Sequence, residues 1–396
     1  MLYLVMIIYF IFILSAFRNV KKWLNCCHPI FRNHWIRFIY TIVYILLALS
    51  PAAILLPPIS IKASLVRLGD FWLGFFCYIL IGVLIAGIAG RILRIRRKMP
   101  HIWTDKYKKI CKVSGTVITL AAVCICTCGT IHANHIKEKD YQVKIDKKAE
   151  NLTGLRIGLV SDLHLGYHAG TRELKQMVTK LNHADLDLVC LTGDFYSNDF
   201  DAVSNPKELS RILSKIKATY GTYACYGNHD VSQKVLAGFP ISNQKRALLD
   251  PRLDQMLKDG NVKVLQDESV YIDHAFYLIG RLDASETGVP DLRPNTISEI
   301  SKTIDLEKPI IVMEHQPKDL HEQARAGMDL SLAGHTHKGQ FFPGNLFIKL
   351  FWKNSYGKYQ ENNFTSIVTS GMGTWGPDMR IGTNSEIAII DVSFAK

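Results

Sequence analysis

The feature that most limits the fold of this chain is a set of four apolar windows near its N-terminus. They cover residues 2–17, 38–59, 71–90 and 113–131. Because a bilayer crossing takes roughly 20 apolar residues, with ~17 at the lower end, the last three windows are long enough and the first is marginal. The first window could instead be a cleaved signal peptide, but no cation precedes it and no clear small-x-small site follows. Buried core helices would be the alternative for the others, but four windows so close together favour about four transmembrane helices in residues 1–132.

Positive charge is concentrated in two of the three loops between these windows. Lysine and arginine are enriched on the cytoplasmic side of membrane proteins. The second loop contains only Lys62 and Arg67, whereas the first contains Arg18, Lys21, Lys22, Arg32 and Arg37, and the third contains Arg91, Arg94, Arg96, Arg97, Lys98, Lys106, Lys108, Lys109 and Lys112. We therefore predict a multi-pass membrane protein whose residues after the fourth helix are extracytoplasmic. The net charge of +12 is then explained by topology and contact with anionic lipid, and we expect no nucleic-acid partner.

The chain changes character after the last window. Residues 133–150 are highly charged and predict a linker, with a first edge strand as one option, before a domain over 151–396. The runs "RIGLVSD", "LDLVCLTGD" and "GTYACYGNHD" predict strands, and two segments with helical spacing lie between them. We expect Thr171 to cap the first helix and Asn205 the second, where Pro206 follows. The order βαβαβ implies parallel strands covered by helices, and the strand-rich second half favours two sheets.

Polar side chains follow five of the predicted strands at the point where each strand ends. These residues are Asp162 and His164, then Asp194, then Asn228, His229 and Asp230, then His315, and finally His335 and His337. In open α/β sheets, ligands bind outside the carboxyl ends of the strands. We therefore expect these side chains to meet at one site.

The spacing of these residues suits a metal site. Residues two apart point the same way on an extended chain, so Asp162 and His164 could hold one ion together. Glycine at 193, 227 and 334 would let the backbone turn tightly near the ligands. Carboxylate and imidazole ligands without thiolate suit Mn²⁺, Fe²⁺ or Zn²⁺. A lone D-x-H or G-D is weak evidence for a metal site, but the ordered set D-x-H, G-D, G-N-H-D, H and G-H-x-H is specific evidence for one.

This ordered set resembles the signature of the calcineurin-like metallophosphoesterase superfamily over roughly 155–392. The segments "EHQP" and "GTWGPDMRIGTNSEI" resemble a bacterial membrane-bound branch of it. The resemblance implies an α/β domain of four layers, αββα, in which two β-sheets are flanked by helices.

The same resemblance implies residue roles and two divalent ions per chain. Asp162, His164 and His337 would hold the first ion, Asp194 would bridge both ions, and Asn228, His315 and His335 would hold the second. His229 would face the substrate, and Asp230 would orient His229 through a hydrogen bond. The implied reaction is attack on phosphorus by a metal-activated hydroxide. Arg281, Lys338 and Arg380 are possible phosphate anchors, and an ordinary surface cation is the favoured alternative for each.

The predicted function is hydrolysis of phosphate ester or pyrophosphate bonds in a small-molecule, lipid-linked or envelope substrate. Some relatives cleave UDP-2,3-diacylglucosamine, but that reaction faces the cytoplasm and fits the predicted topology poorly. One alternative is an inactive binding or scaffold protein on the same fold, although no ligand position is missing. A nuclease or a protein phosphatase is another. The sequence leaves the metal, the substrate and the oligomeric state open.

Overall fold

The computed structural model describes residues 2–96, 104–197, 200–230, 235–236, 239–240, 249–283 and 293–396. The chain divides into two compact units. The first comprises Met1–Thr130, Leu236–Ile241 and Gly376–Asp378, and the second comprises Ile131–Val235, Ser242–Trp375 and Met379–Lys396.

Long helices dominate the first unit. They are α1 (Leu2–Cys27), α2 (His34–Leu49), α3 (Lys62–Ile95) and α4 (Asp105–Ala133). Within the described residues, three segments are long and apolar enough to cross a membrane, namely His34–Leu55, Lys62–Ile95 and Asp105–Ala133. They correspond to the second, third and fourth predicted windows. The first window lies in α1, and its role as a membrane span stays a prediction.

Aromatic side chains fill the interior of the first unit. Trp72 stacks on Phe76 with ring centroids 5.7 Å apart. The indole N–H of Trp72 donates to the Tyr9 hydroxyl (3.2 Å), which donates to the carbonyl of Ala48 (3.0 Å). The Tyr44 hydroxyl donates to a carbonyl of α1 (2.9 Å). These bonds satisfy polar groups within an apolar helical unit, where an unpaired group would be costly.

The second unit is built from strands and shorter helices. Its strands are β1 (Ile136–Ile145), β2 (Gly154–Val160), β3 (Leu188–Thr192), β4 (Thr222–Cys225), β7 (Val262–Val264), β8 (Glu268–Ile272), β9 (Phe276–Gly280), β10 (Ile310–Met313), β11 (Leu330–Ala333), β12 (Gly357–Glu361), β13 (Phe364–Val368) and β14 (Ser385–Phe394). Two further short strands, β5 (Val235–Leu236) and β6 (Phe239–Pro240), pair only with each other among the described strands. Its helices are α5 (Thr171–His183), α6 (Pro206–Leu213), α7 (Pro251–Asp259), α8 (Ile297–Ser301), α9 (Leu320–Arg325) and α10 (Gly344–Phe347).

Two six-stranded sheets organise this unit. The first has the order β1-β14-β2-β3-β4-β7 and the second the order β12-β13-β11-β10-β9-β8. Strands β2, β3, β4 and β7 are parallel, with Leu159 paired to Cys190 and Cys190 to Tyr223. Strands β9, β10, β11 and β13 are also parallel. Since parallel strands end at the same edge, each sheet brings several carboxyl ends together.

The core of this unit has three layers of apolar contacts. Between the sheets, side chains of β2 and β3 pack with those of β10 and β11, including Leu159 and Met313. Helices α5, α6 and α7 cover the outer face of the first sheet, where Leu174 and Leu209 are fully buried. Helices α8 and α9 cover the second sheet through Ile297 and Leu320. This is the predicted αββα architecture.

Three local features differ from the prediction or refine it. Ten residues of the predicted linker form β1, an edge strand paired in parallel with β14, because its buried side chains complete the first sheet. Gly170, and not Thr171, caps α5, and the Glu173 carboxylate accepts from the Gly170 N–H (2.9 Å). Asn205 does cap α6, but no hydrogen bond from its side chain supports the cap.

Candidate metal centre

Five strand ends deliver the predicted ligand side chains to one buried region. Strands β2, β3 and β4 of the first sheet end just before Asp162, Asp194 and Asn228. Strands β10 and β11 of the second sheet end just before His315 and His335. The site therefore combines side chains from both sheets of the sandwich.

One group of donor atoms is formed by Asp162, His164 and His337. The three donor atoms lie within 4.8 Å of one another, and all three side chains are buried. The Nε2 atoms of His164 and His337 are 3.1 Å apart, and His337 Nε2 is 3.2 Å from Asp162 Oδ1. These residues were predicted to hold the first ion, and the structure brings them together.

A second group is formed by Asp194, His315 and His335. His335 Nδ1 is 3.2 Å from His315 Nε2, which is also 3.1 Å from the Asn228 Oδ1 atom. Asp194 Oδ2 lies 3.2 Å from His315 Nε2 and 3.8 Å from His164 Nε2, so this carboxylate stands between the two groups. The mixed oxygen and nitrogen donors fit borderline divalent ions.

The backbone brings these side chains together in a way that was not predicted. Asp162, His164, Asp194, His335 and His337 all have a positive φ, between 46° and 67°. Asp162 and His164 do meet, but the predicted reason, an extended backbone between them, is wrong. Left-handed backbone is unfavourable for residues with a side chain and tends to occur at functional sites, where the surroundings hold it in place.

The glycines near the ligands act mainly by leaving room. Among the three predicted glycines, Gly193, Gly227 and Gly334, only Gly193 has a positive φ, of 80°. A Cβ atom on Gly227 would lie 2.3 Å from Asp194 Oδ1, and one on Gly334 would lie 2.4 Å from Asp162 Oδ2. Such contacts are too short, so at 227 and 334 the missing side chain permits a close approach between backbone and ligand instead of the predicted tight turn.

The electrostatics of the site favour ionised carboxylates beside mostly neutral imidazoles. Burial alone would raise the pKa of Asp194, but the imidazoles of His315, His229 and His164 hold it well below its usual value. Burial lowers the pKa of His335 to about 3 and also lowers the pKa of His164 and His337. Metal ligands must be deprotonated, and these groups meet that condition.

His315 is the exception among the imidazoles. Burial would lower its pKa, but the Asp194 carboxylate raises it well above the usual value. Its Nδ1–H donates to the main-chain carbonyl of Thr192 (2.8 Å), which directs Nε2 toward Asp194. A backbone acceptor behind a ligand histidine fixes the ring orientation that a metal needs.

His229 and Asp230 have different partners from those predicted. The His229 Nδ1–H donates to the carbonyl of Ser197 (3.1 Å). Asp230 is fully buried, and its carboxylate accepts from the backbone N–H groups of Asp194 (2.8 Å), Phe195 (2.6 Å) and Gly227 (2.7 Å). Burial and the Asp194 charge raise the pKa of Asp230 to about 8. Asp230 thus ties the Asp194 and Gly227 loops together, and the Ser197 carbonyl orients the His229 ring.

Arg380 is not available to a substrate phosphate. It is 1% exposed, and its guanidinium donates to the carbonyls of His337 (3.0 Å), Ser370 (2.6 Å) and Gly373 (2.6 Å). These contacts stabilise the loop of the candidate ligand His337, which corrects the prediction of a phosphate anchor for Arg380.

The other two possible anchors are also engaged with protein groups. The Arg281 guanidinium donates to the buried Glu314 carboxylate (3.3 Å). Burial raises the pKa of Glu314 to about 7 although Arg281 lies beside it. The Lys338 ammonium lies 3.9 Å from the centre of the Tyr356 ring, a cation–π contact. A role in phosphate binding stays a prediction for Arg281 and Lys338.

Two contacts of the site were missed in the sequence. The Trp352 ring lies with its centroid 5.0 Å from that of His335, at an angle of 72°. The Ser197 carbonyl orients His229. A backbone carbonyl leaves no trace in the residue pattern, whereas the "FW" at 351–352, near the "GHTH" ligands, was a visible sign of an aromatic neighbour.

Comparisons with known proteins agree with this geometry. Residues 155–339 match the family model for calcineurin-like phosphoesterases. An uncharacterized metallophosphoesterase of Campylobacter jejuni is 28% identical over 314 residues, which cover 77% of this chain and 75% of that protein. The two sheets and their strand-end donors define a metal-dependent phosphoesterase domain. Residues 155–339 of this chain belong to the calcineurin-like phosphoesterase family, as predicted.

Two further relatives carry more specific names. A transmembrane protein with metallophosphoesterase domain from Danio rerio is 32% identical over 263 residues, which cover 64% of this chain and 56% of that protein. The UDP-2,3-diacylglucosamine pyrophosphatase LpxG of Chlamydia trachomatis is 23% identical over 266 residues, which cover 58% of this chain and 78% of that protein. The chain thus spans less than two thirds of the Danio rerio protein.

Proposed function

We propose that this chain is a membrane-anchored phosphoesterase that uses two divalent ions to hydrolyse phosphate ester or pyrophosphate bonds. The observation that carries the proposal is the position of the Asp194 carboxylate between two groups of buried donors. Asp162, His164, Asp194 and His337 would hold one ion, and Asp194, Asn228, His315 and His335 the other. When bound, two such ions supply an activated water and neutralise phosphoryl oxygens.

Residues of the chain itself supply the remaining chemistry. When both ring nitrogens of His229 carry a proton, Nδ1–H donates to the Ser197 carbonyl and Nε2–H is the group that can give its proton to the leaving oxygen, which leaves a neutral ring. The backbone N–H of His229 donates to Asp194 Oδ1 (2.8 Å), which couples the position of this general acid to the carboxylate between the groups. Asp230 keeps both loops in place through its three backbone contacts.

The substrate class that fits best is a lipid-linked or envelope phosphate or pyrophosphate. Three segments that could cross a membrane would keep the enzyme at the bilayer, where such substrates are found. One relative is named for a pyrophosphatase reaction on a nucleotide-linked lipid. A nuclease is less consistent with the sequence, because most of its basic clusters lie in the loops between the apolar windows.

We infer the side of the membrane from the basic loops. Arginine and lysine between the first and second windows, and between the third and fourth, support a cytoplasmic side for those loops and an extracytoplasmic catalytic domain. A reporter enzyme that is active only outside the cytoplasm, fused after Lys396, should be active. Activity of a cytoplasmic reporter at the same position would overturn this orientation and favour a cytoplasmic substrate such as a nucleotide-linked lipid.

An activity assay separates the enzyme from an inactive scaffold protein. Purified full-length protein with Mn²⁺ should hydrolyse bis-p-nitrophenyl phosphate. His229→Ala should lower kcat by about 10²–10⁴-fold with bound metal retained. Asp194→Ala should lower metal affinity by more than about 100-fold, since even loss of a residue behind a ligand costs 10–100-fold.

The exposed Glu322→Ala variant is the matched control and should keep wild-type activity. If the wild type hydrolyses the substrate with none of the three metals, Mn²⁺, Fe²⁺ and Zn²⁺, the result would favour the scaffold protein. Wild-type rates in both site variants would show that the activity comes from a contaminant.

A further inference from the structure

An exposed apolar segment follows strand β11 and the candidate ligands His335 and His337 along the chain. Residues 342–351, here named the apolar loop, contain α10 and a short 3-10 turn at Ile348–Leu350. Its large apolar side chains are mostly open to solvent, with exposed fractions of 44% for Phe342, 59% for Leu346, 55% for Phe347, and 77% for both Leu350 and Phe351.

This concentration of exposed apolar side chains is unusual for the second unit. In the part of residues 136–396 that the structure describes, the other exposed large apolar side chains are Tyr271, Leu306 and Trp375. Isolated exposed apolar residues are ordinary on protein surfaces, whereas a contiguous patch marks an interaction site. The apolar loop is therefore a candidate contact surface.

The ends of the apolar loop are tied to the metal centre. The Phe342 N–H donates to the carbonyl of Ile381 (2.9 Å) at one end. At the other end, Trp352 packs on the ligand His335, and the Thr336 hydroxyl donates to the carbonyl of Ser355 (2.7 Å). A partner of the loop is consequently held close to the site of phosphate chemistry.

The shape and charge of the loop indicate what it contacts. Its side chains protrude, whereas a site for a single acyl chain would be a groove or cavity. The loop itself contains Lys349 and no aspartate or glutamate. Lys353, just beyond it, is ion-paired with Glu361 (2.7 Å), so Lys349 is the cation of the loop that lies beside its apolar side chains. Protruding leucine and phenylalanine beside lysine are typical of segments that insert into the interface of an anionic bilayer.

We propose that the apolar loop inserts into the surface of an anionic lipid bilayer and holds the metal centre beside lipid phosphates. The proposal rests on the proposed membrane anchoring, because helices in the bilayer keep this domain near a lipid surface. Interfacial segments are buried roughly 5–10 Å into the boundary between headgroups and acyl chains, and we expect this depth for the apolar loop.

Photo-crosslinking in vesicles tests this contact directly. The photoreactive residue p-benzoylphenylalanine is introduced at Leu350 or Phe351 of the full chain, which is reconstituted in vesicles with 30% phosphatidylglycerol. Irradiation should produce lipid adducts at both positions, detected by mass spectrometry. The same residue at Tyr271, an exposed ring of the second unit, should give none, and at Val117 in α4 it should give adducts as a positive control.

Two further variants test the chemistry of the contact. Lys349→Gln should lower adduct formation at Phe351 by about fivefold in anionic vesicles and leave it unchanged in neutral ones. The double variant Leu350→Ser/Phe351→Ser should hydrolyse bis-p-nitrophenyl phosphate in detergent at the wild-type rate, because neither residue belongs to the metal centre. With p-benzoylphenylalanine at Leu346, this double variant should form at least fivefold fewer lipid adducts than the wild-type loop.

The outcomes separate this inference from the proposed function. Adducts at Leu350 and Phe351 no more frequent than at Tyr271 would overturn the inference, as would adducts to a second copy of the chain or to another protein. Lipid adducts on a protein without hydrolytic activity would support the contact and contradict the proposed phosphoesterase. Hydrolysis without lipid adducts would support the proposed phosphoesterase and contradict the contact of the apolar loop with lipid.

Discussion

The two units of this chain place their apolar side chains in opposite ways. In the first unit, Leu46, Leu84 and Leu120 are each 63% exposed. In the second, Leu159 and Leu278, which lie between the sheets, are fully buried. The hydrophobic effect removes apolar surface from water, so a unit with many exposed apolar side chains is better suited to lipid than to water. The contrast indicates a lipid environment for the first unit and an aqueous one for the second, apart from its apolar loop.

Truncation of a core side chain should give the largest loss of stability among the tests of this contrast. Leu278→Ala should destabilise the second unit by about 2–5 kcal/mol, because it leaves a cavity between the sheets. Leu46→Ala should change stability by less than about 0.5 kcal/mol, as for an ordinary surface substitution. Thermal unfolding of the full chain in detergent compares the two, and equal losses would contradict the contrast.

Removal of the buried Asp230 carboxylate should have the next largest effect. Asp230→Ala leaves three buried N–H groups without their acceptor and should cost about 3 kcal/mol. The melting temperature should fall together with activity, because both loops lose their connection. An unchanged melting temperature with lower activity would instead support the predicted role in orienting His229. The exposed Asp305→Ala variant serves as the control.

A charged residue introduced into the first unit tests whether this unit lies in lipid. Leu46 lies within the candidate span His34–Leu55, and Leu46→Lys should weaken membrane insertion by about 2.5–3.5 kcal/mol if this residue lies near the bilayer centre. An insertion assay with glycosylation sites on either side measures this change. Leu306→Lys, at a position 39% exposed in the second unit, should fold normally. Equal tolerance of both substitutions would argue against a membrane span.

Metal removal should affect only the second unit. A ligand present at 100 times its Kd stabilises a protein by about 2.7 kcal/mol. A chelator that removes the metal should therefore lower the melting temperature of the second unit by the amount that corresponds to this loss of free energy. Asp194→Ala should make the melting temperature insensitive to the chelator. Loss of helical signal from the first unit under the same treatment would show that the metal has a wider structural role.

Much of the second unit could be predicted from local patterns. The apolar runs before Asp162, Asp194 and His315 did form strands, and β3 and β10 are buried on both faces of their sheets along their whole length. Helical spacing predicted α5, whose Leu174 and Leu181 are fully buried. The cap of α5 was placed one residue too late, since glycine gives no side-chain pattern.

The partners of polar groups could not be predicted in the same way. Asp230 follows His229 in the chain but bonds to backbone amides of Asp194 and Phe195, more than thirty residues earlier. Arg380 is a cation in a polar segment, yet it is buried among carbonyls. Such contacts depend on loops packed from distant parts of the chain, and sequence spacing does not report them.

The residue types that end each strand and the positions of the apolar windows can be predicted from local patterns, because both depend on neighbours along the chain. How the candidate ligands meet depends on the packing of distant segments. His164 and His337 are 173 positions apart and have ring nitrogens 3.1 Å from each other. Their approach requires left-handed backbone at the ligands and room at Gly334, and it places the Asp194 carboxylate between the two groups. The exposure of the apolar loop was likewise found only in the tertiary structure.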